Sequence, residues 1–251
     1  MELPYARSGS AVTALLEASP GYSAIMIPAW LNGIAWFSLI AALFCTAVIA
    51  IDVLRNPQKM AIMNWVWPIT ALYAGPLGLW AYWRLGRPAT RIAISQNGGK
   101  APAQPFWATV LVGTTHCGAG CTLGDIIAEF TIFFASWSVA GSVLWAEFIG
   151  DYALAYALGV VFQFFAIAPM RGLSLGPGIV AAIKADTLSL TAFEIGLFGF
   201  MAIVYFGLFH PHLTPDRATY WFMMQLGMLI GFGTSYPMNW WLIRRGIKEA
   251  M

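Results

Sequence analysis

The sequence predicts an all-α fold, a polytopic bundle of transmembrane helices, from its composition and from the length of its apolar runs. Hydrophobic residues make up 59% of the 251-residue chain and charged residues 10%, whereas about a quarter of the residues in a soluble domain are charged. The mean hydropathy is +0.71. Runs of roughly 20 apolar residues, long enough to cross the hydrocarbon core, recur along the chain. The lipid bilayer is therefore the expected partner, and a net charge of +2 gives no indication of a nucleic-acid partner.

Six apolar runs are predicted to be membrane spans. In chain order they cover residues 28–54, 61–83, 106–145, 152–170, 188–209 and 219–243. The third run is about twice the length that one crossing needs. One long tilted helix, one span preceded by a re-entrant or interfacial piece, and two spans joined tightly all fit that length. Hydropathy alone does not choose between them.

Positive charge favours six spans with both termini in the cytoplasm, because cytoplasmic loops are enriched in Lys and Arg. In that arrangement only Arg55, Lys59 and Arg217 of the thirteen basic residues lie outside. Splitting the third run into two spans would move either the first basic loops or the C-terminal basic cluster to the outer side. The charge pattern therefore predicts a single span in the third run.

The chain divides into an N-terminal segment, residues 1–27, and a single transmembrane domain, residues 28–251. The segment contains SGSAVTALLEASPG, whose weak helical pattern fits a short surface helix or a terminal tail. It lacks the basic start and apolar core of a removable signal peptide. Between the fourth and fifth spans, RGLSLGPGIVAAIKADT is rich in small residues and is predicted to lie along the membrane interface.

One polar stretch, THCGAGCTLGDIIAE, interrupts the third apolar run. On a helix, Cys117, Cys121, Asp125 and Glu129 recur every four residues and form a slanting stripe that drifts about 40° per step. His116 lies about 100° around the axis from Cys117, on the flank of that stripe. Thiolate and imidazole are ligands that suit Cu(I) and Zn(II). These five residues are therefore predicted to hold a soft metal ion, Cu(I) or alternatively Zn(II).

Packing accounts for some of the same residues without any chemistry. Gly120 and Gly124 form a GxxxG pair, which is typical of close contact between membrane helices. Asp125 and Glu129 would lie near the cytoplasmic surface if the span began only at Cys121, and there they would favour a helix N-terminus. The remaining cysteine, Cys45, is expected to be a small buried hydrophobe.

Two functions follow from the stripe, and binding or transport of a soft metal cation is the favoured one. In it Asp125 and Glu129 are further ligands or proton acceptors. The alternative is a membrane thiol-disulfide oxidoreductase in which Cys117 and Cys121 form a reversible disulfide and His116 favours the thiolate. The usual redox spacing is CxxC, so the CxxxC spacing makes a transporter or metal-binding protein the better prediction than an enzyme. The oligomeric state, a homo-oligomer included, stays open.

The motif THCGAGCTLGDIIAEF, together with GPGIVAAIKADTLSLTAFEIGLFGF and GTSYPMNWWLIRRG, resembles a bacterial membrane family known as domain of unknown function 4396. The resemblance covers most of the chain from about Ala61 onward. It implies a multi-pass helical protein of the bacterial cytoplasmic (inner) membrane. It implies no activity, so the functional prediction depends on the residues themselves.

Overall fold

The computed structural model describes residues 27–101 and 103–249, and within them the chain is all-helical. The predicted N-terminal segment, residues 1–27, lies outside the described residues except for Ile27. Two π-helical turns cover Tyr82–Gly86 and Val204–Leu208. In chain order the α-helices are α1 (Ala29–Arg55), α2 (Met63–Ala81), α3 (Arg91–Gln96), α4 (Phe106–Ala135), α5 (Val143–Arg171), α6 (Leu175–Ile203) and α7 (Ala218–Arg244).

Four of the helices described are long and apolar enough to cross a membrane. They are α1, α4, α5 and α6, the last counted with its π-helical turn to Leu208. Their outer faces carry large exposed apolar side chains such as Phe37 and Phe134. The predicted all-helical fold is therefore confirmed, and the four helices with their apolar outer faces are consistent with the predicted contact with lipid. The seventh helix has 27 residues, enough to cross, but it falls below the hydropathy of the other four.

The second predicted span, residues 61–83, is wrong as a single crossing because the chain reverses direction inside it. Gly75 has φ 52° and ψ −126°, outside the helical region. A Cβ added to Gly78 would lie 3.1 Å from the Cα of Ala71, whereas residues seven apart in a continuous helix are separated by about 10 Å. Gly75 supplies the positive φ, and Pro76 follows it without an N–H to continue the helix. Both arms are apolar, so hydropathy did not distinguish this hairpin from a span.

Both arms of this segment, which we call the re-entrant hairpin (residues 63–89), begin and end at the same end of the bundle. Gln58 pairs with Thr90 in an isolated β-bridge, and the backbone N–H of Lys59 donates to the carbonyl of Ala89 at 3.2 Å. At the tip, Gly75 packs against Ala42, the middle residue of α1. The hairpin therefore enters the bundle to half its depth and returns.

The third apolar run contains one complete helix, as the charge pattern predicted. That helix ends where Ser136 adopts the left-handed conformation, and α5 starts at Val143, so the end of the predicted run belongs to a loop and to the next helix. The interfacial placement of RGLSLGPGIVAAIKADT is wrong, because α6 begins at Leu175 and runs through most of it. Pro177 lies in the first turn, where its missing N–H is tolerated.

Glycines bring α4 and α5 into close contact, as the GxxxG pair predicted. A Cβ on Gly120 would lie 2.7 Å from the Cα of Gly159, and one on Gly124 would overlap the backbone of Ala155. In a membrane, such close approach of backbones supplies the van der Waals contact that holds helices together. The polar stripe of α4 consequently faces the centre of the bundle.

Pro28 and Glu249 lie at opposite ends of the bundle, so the predicted six spans, which would return both ends to one side, are not confirmed. Ser38, near the start of α1, donates to Gln225 Oε1 near the start of α7 at 2.7 Å, so these two helices run parallel. The hairpin adds no crossing, which leaves an odd number. One end of the bundle, the basic end, carries most of the described Lys and Arg residues: Arg55, Lys59, Arg84, Arg87, Arg91, Lys100, Arg171, Arg244, Arg245 and Lys248.

Candidate functional site

The four residues of the predicted stripe all lie inside the bundle. Cys117, Cys121 and Asp125 are 0% exposed and Glu129 is 2% exposed. Because α4 begins at Phe106, three turns before Cys117, the two carboxylates lie well past the helix start. The alternative that places them at a helix N-terminus on the surface is therefore wrong.

The two thiols meet side chains from two other elements. Cys117 and Cys121 are neighbours and are both free. Glu194 of α6 faces Cys121. Tyr73 lies at the tip of the re-entrant hairpin. Its Oη is 2.7 Å from the position that a Cβ on Gly118 would take, and Gly118 lies between the two cysteines in the sequence. We call Tyr73, Cys117, Cys121 and Glu194 the thiol site.

Carboxyl groups continue from the thiol site toward the end of the bundle opposite the basic end. Asp125 is within electrostatic range of Glu194 and Glu129, and Glu129 faces Asp151 of α5 and Tyr220 of α7. We call Asp125, Glu129, Asp151 and Glu194 the acidic chain. Glu147, one turn before Asp151, interacts with Glu129 and extends the series outward.

The acidic chain is unpaired. Among the described residues, none of its four members forms a salt bridge. Several of its buried oxygens lack any hydrogen-bond partner: both oxygens of Asp125 and Glu194, Oε2 of Glu129 and Oδ1 of Asp151. Burying a carboxylate without a partner is expensive, and such groups inside membrane proteins usually line ion or proton pathways.

His116 does not join the cysteines. Its Nδ1 lies 3.2 Å from the carbonyl oxygen of Val112, and its ring lines a separate cavity beside the hairpin. Adjacent helical positions point about 100° apart, so His116 and Cys117 face different neighbours. Across the described ranges, no three His, Cys, Asp or Glu side chains converge closely enough to hold a metal ion in this conformation.

Sequence reasoning missed three residues near the site. They are Glu194, Asp151 and Tyr73. A signal for Asp151 was present, since Glu147 and Asp151 are one turn apart and share one face of α5. No comparable signal marks Tyr73, because its position depends on the reversal at Gly75.

Another buried ionic group lies at the basic end, where the chain after α7 folds back into the bundle. Lys248 Nζ lies 3.4 Å from Asp186 Oδ1 and 3.2 Å from Ser189 Oγ, with both charged side chains almost fully buried. Glu249 pairs with Arg171 beside it. The tail therefore contributes a cation to the interior, whereas the sequence analysis treated this region only as a C-terminal basic cluster.

Comparison with known families gives a match that covers most of the bundle. The model of a family described as a domain of unknown function (DUF4396) matches residues 106–248. That range contains α4 to α7 and most of the thiol site, and it excludes α1 and the re-entrant hairpin. Searches of curated proteins and of solved structures found no match.

Proposed function

Because the chain belongs to the DUF4396 family, whose description names no activity, we propose a function from the bundle interior: transport of a soft metal cation, Cu(I) in preference to Zn(II). The observation that carries the proposal is the acidic chain, which continues from a pair of buried thiols without a basic partner. Each unpaired carboxyl group must hold a proton or a cation. A series of such groups is what a cation pathway requires.

The thiol site is the binding position in this proposal. Thiolates are soft ligands that select Cu(I) over hard cations, and a carboxylate adds negative charge without demanding a fixed geometry. Cys121 is near the middle of the 30-residue α4, so the ion would be held near the centre of the membrane. Deprotonation of the thiols accompanies metal binding, and the nearby carboxylates can accept those protons.

The re-entrant hairpin supports the same position. In many transporters, broken helices meet at the membrane centre, where the C-terminal end of a half-helix favours a cation. The first arm of the hairpin ends at Ala74 and Gly75, beside Tyr73. Its last carbonyl groups therefore point their negative dipole toward the tip, next to the thiols. A small shift of this arm would bring these carbonyl oxygens close enough to act as further ligands for an ion held by Cys117 and Cys121.

We propose five crossings, formed by α1, α4, α5, α6 and α7, in place of six. The basic end then faces the cytoplasm, because ten of the chain's thirteen Lys and Arg residues lie there. In this arrangement the acidic chain leads from the membrane centre to the outer side. The residue ahead of α1, Pro28, would also lie outside.

Uptake by reconstituted protein tests the proposal. Purified protein in nanodiscs, titrated with Cu(I) against a competing chelator, should bind about one ion per chain. The same protein in sealed vesicles should move Cu(I) down its gradient. Cys117→Ser and Cys121→Ser should each abolish binding and uptake, because each removes a ligand.

Cys45→Ser is the matched control. Cys45 is buried among apolar side chains of α1 and the hairpin, as its sequence predicted, so its replacement should leave both measurements unchanged. Intact binding in both stripe variants would contradict the proposal. A protein that takes up no metal but cycles between dithiol and disulfide would favour the oxidoreductase instead.

A further inference from the structure

A cavity of about 920 Å³ lies between the re-entrant hairpin and helices α4 and α5, in the half of the bundle nearest the basic end. Its volume is within the range typical of small-molecule sites, about 300 to 1,000 Å³. Trp67 and Met63 of the hairpin and Phe165 of α5 line its walls. We call it the hairpin cavity. It does not include Cys117 or Cys121.

Three polar atoms of the lining have no partner within the protein. They are Nε2 of Gln58, Nε2 of His116 and Oε1 of Gln104. Gln58 is 2% exposed and His116 is 1% exposed, so neither side chain has ready access to bulk water. An unsatisfied buried polar group destabilises the folded protein. A bound molecule with matching polar atoms would remove that destabilisation.

The hydrogen-bonding roles of these atoms are fixed by their surroundings. A carbonyl oxygen only accepts, so Nδ1 of His116 carries the hydrogen that is donated to Val112. Nε2 of the neutral ring is then an acceptor. The Nε2 of Gln58 can only donate. A matching molecule must therefore donate to His116 and accept from Gln58, and hydroxyl groups can fill both roles.

The side chains along the walls and at the opening of the cavity indicate what the rest of the ligand is like. Flat indole and phenyl faces together with thioether groups favour an aromatic ring. Trp65, at the rim, is 68% exposed and Met170 is 49% exposed, and both stand where α5 and the hairpin meet the lipid. A molecule can therefore enter from the bilayer and leave an apolar tail there.

We propose that the hairpin cavity binds a lipid-soluble hydroquinone, a membrane molecule with an aromatic hydroxyl head and an apolar tail. A hydroxyl of the ring donates to Nε2 of His116, and a hydroxyl oxygen of the ring accepts from Nε2 of Gln58. Gln58 and Gln104 lie outside the residues that match the family model, and His116 lies inside them. The site therefore forms only where the hairpin packs on the family domain.

Binding of a matched pair of ligands tests the proposal. The probes are a benzohydroquinone with a ten-carbon chain and its dimethyl ether, which has the same ring and tail but no hydroxyl hydrogen. Titrated into protein in nanodiscs of defined phospholipid, the hydroquinone should bind about tenfold more tightly than the ether, which corresponds to ~1.4 kcal/mol. The oxidised quinone, which also lacks the hydrogen, should resemble the ether.

Two variants and a control separate the site from general partition into lipid. Gln58→Leu should weaken binding of the hydroquinone and of the ether about tenfold, because the oxygen of each probe can accept from Gln58. Ala166→Phe, which fills the cavity from α5, should abolish binding of both probes. Gln96→Leu, on the exposed face of α3, should have no effect.

Equal binding of hydroquinone and ether would overturn the proposal, as would hydroquinone affinity that is unchanged by Gln58→Leu in a folded protein. A phospholipid that copurifies in the cavity and that the hydroquinone does not displace would also overturn it. Loss of metal binding in the same preparation would not bear on it, because the cysteines lie outside the cavity.

Discussion

At the scale of single residues, the buried carboxyl groups of Asp125 and Glu194 are the feature that bears on function. Each is buried with both carboxyl oxygens unpartnered, and an ionised group at the membrane centre costs about 3 kcal/mol on insertion scales. No packing role requires a carboxyl group at either position, since Asn and Gln have nearly the same shapes. The charge itself, or the proton that replaces it, is therefore the property that these residues supply.

The acidic chain should control the rate of transport more than the affinity for metal. Asp125→Asn and Glu129→Gln preserve shape and remove charge, so Cu(I) affinity at the thiols should remain nearly unchanged. Uptake into vesicles should slow about tenfold, the effect of ~1.4 kcal/mol on a barrier. Uptake by the unaltered protein should fall as pH falls, because protonation removes the negative charge of the path, and in the variants this dependence should flatten.

Asp216→Asn provides the comparison for that experiment, since Asp216 is exposed in the loop before α7. It should change neither the rate nor the pH profile. Unchanged uptake in the Asp125 and Glu129 variants would remove the acidic chain from the pathway.

Sequence reasoning predicted the site residues on α4 but not the residues of other helices that contact them. A four-residue spacing on one helix places Cys117, Cys121 and Asp125 on one face with no knowledge of the fold. The position of Glu194 beside Cys121 depends on how α6 packs, which the spacing does not contain. His116 was grouped with the thiols because it is adjacent in sequence, yet adjacency on a helix separates side chains by about 100°.

At the scale of elements, small residues decide which helices meet and where the chain turns. Gly120 and Gly124 were predictable as a contact surface because GxxxG acts through local geometry. The hairpin was not predictable, because a segment that reverses direction at Gly75 needs the same apolar side chains as a segment that crosses the membrane. The distribution of Lys and Arg distinguishes a hairpin from a crossing only once the number of crossings is known.

Gly124 should be intolerant of even one additional carbon atom. A Cβ there would overlap the backbone of Ala155, which cannot move aside as a flexible side chain would. Gly124→Ala should lower stability by about 1–3 kcal/mol, the usual cost of overpacking, measured as a lower midpoint of thermal unfolding in detergent.

Gly33→Ala is the control for that substitution, because a Cβ at Gly33 on α1 has no atom within 4 Å. It should leave the midpoint unchanged. Equal midpoints for the two variants would mean that α4 and α5 are less closely packed than the structure shows.

Across the whole molecule, the distribution of charge and the number of crossings are consistent with each other. The basic end collects ten of the twelve Lys and Arg residues described, and both ends of the hairpin lie there. The sequence favoured six crossings because each long apolar run was counted as one. With the hairpin removed from the count, Arg55 and Lys59 join the other basic residues.

Site-directed labelling should confirm five crossings. In a protein whose native cysteines are replaced by Ser, a cysteine introduced at Lys100 should react with impermeant reagent only from the cytoplasmic side. One introduced at Asp216 should react only from the outer side. A cysteine at Lys59 or Arg91, both exposed, should share the side of Lys100, and labelling of Lys100 and Asp216 from the same side would contradict the arrangement.

The folded-back tail has a practical consequence for how the protein is handled. Lys248 reaches Asp186 inside the bundle and Glu249 pairs with Arg171, so the last residues described are part of the interior and are not a free handle. Removing one partner of a buried pair costs about 3–5 kcal/mol. A truncation after Ile247 should therefore yield little folded protein, and an affinity tag attached after Met251 should be separated by a flexible spacer so that Lys248 keeps its place.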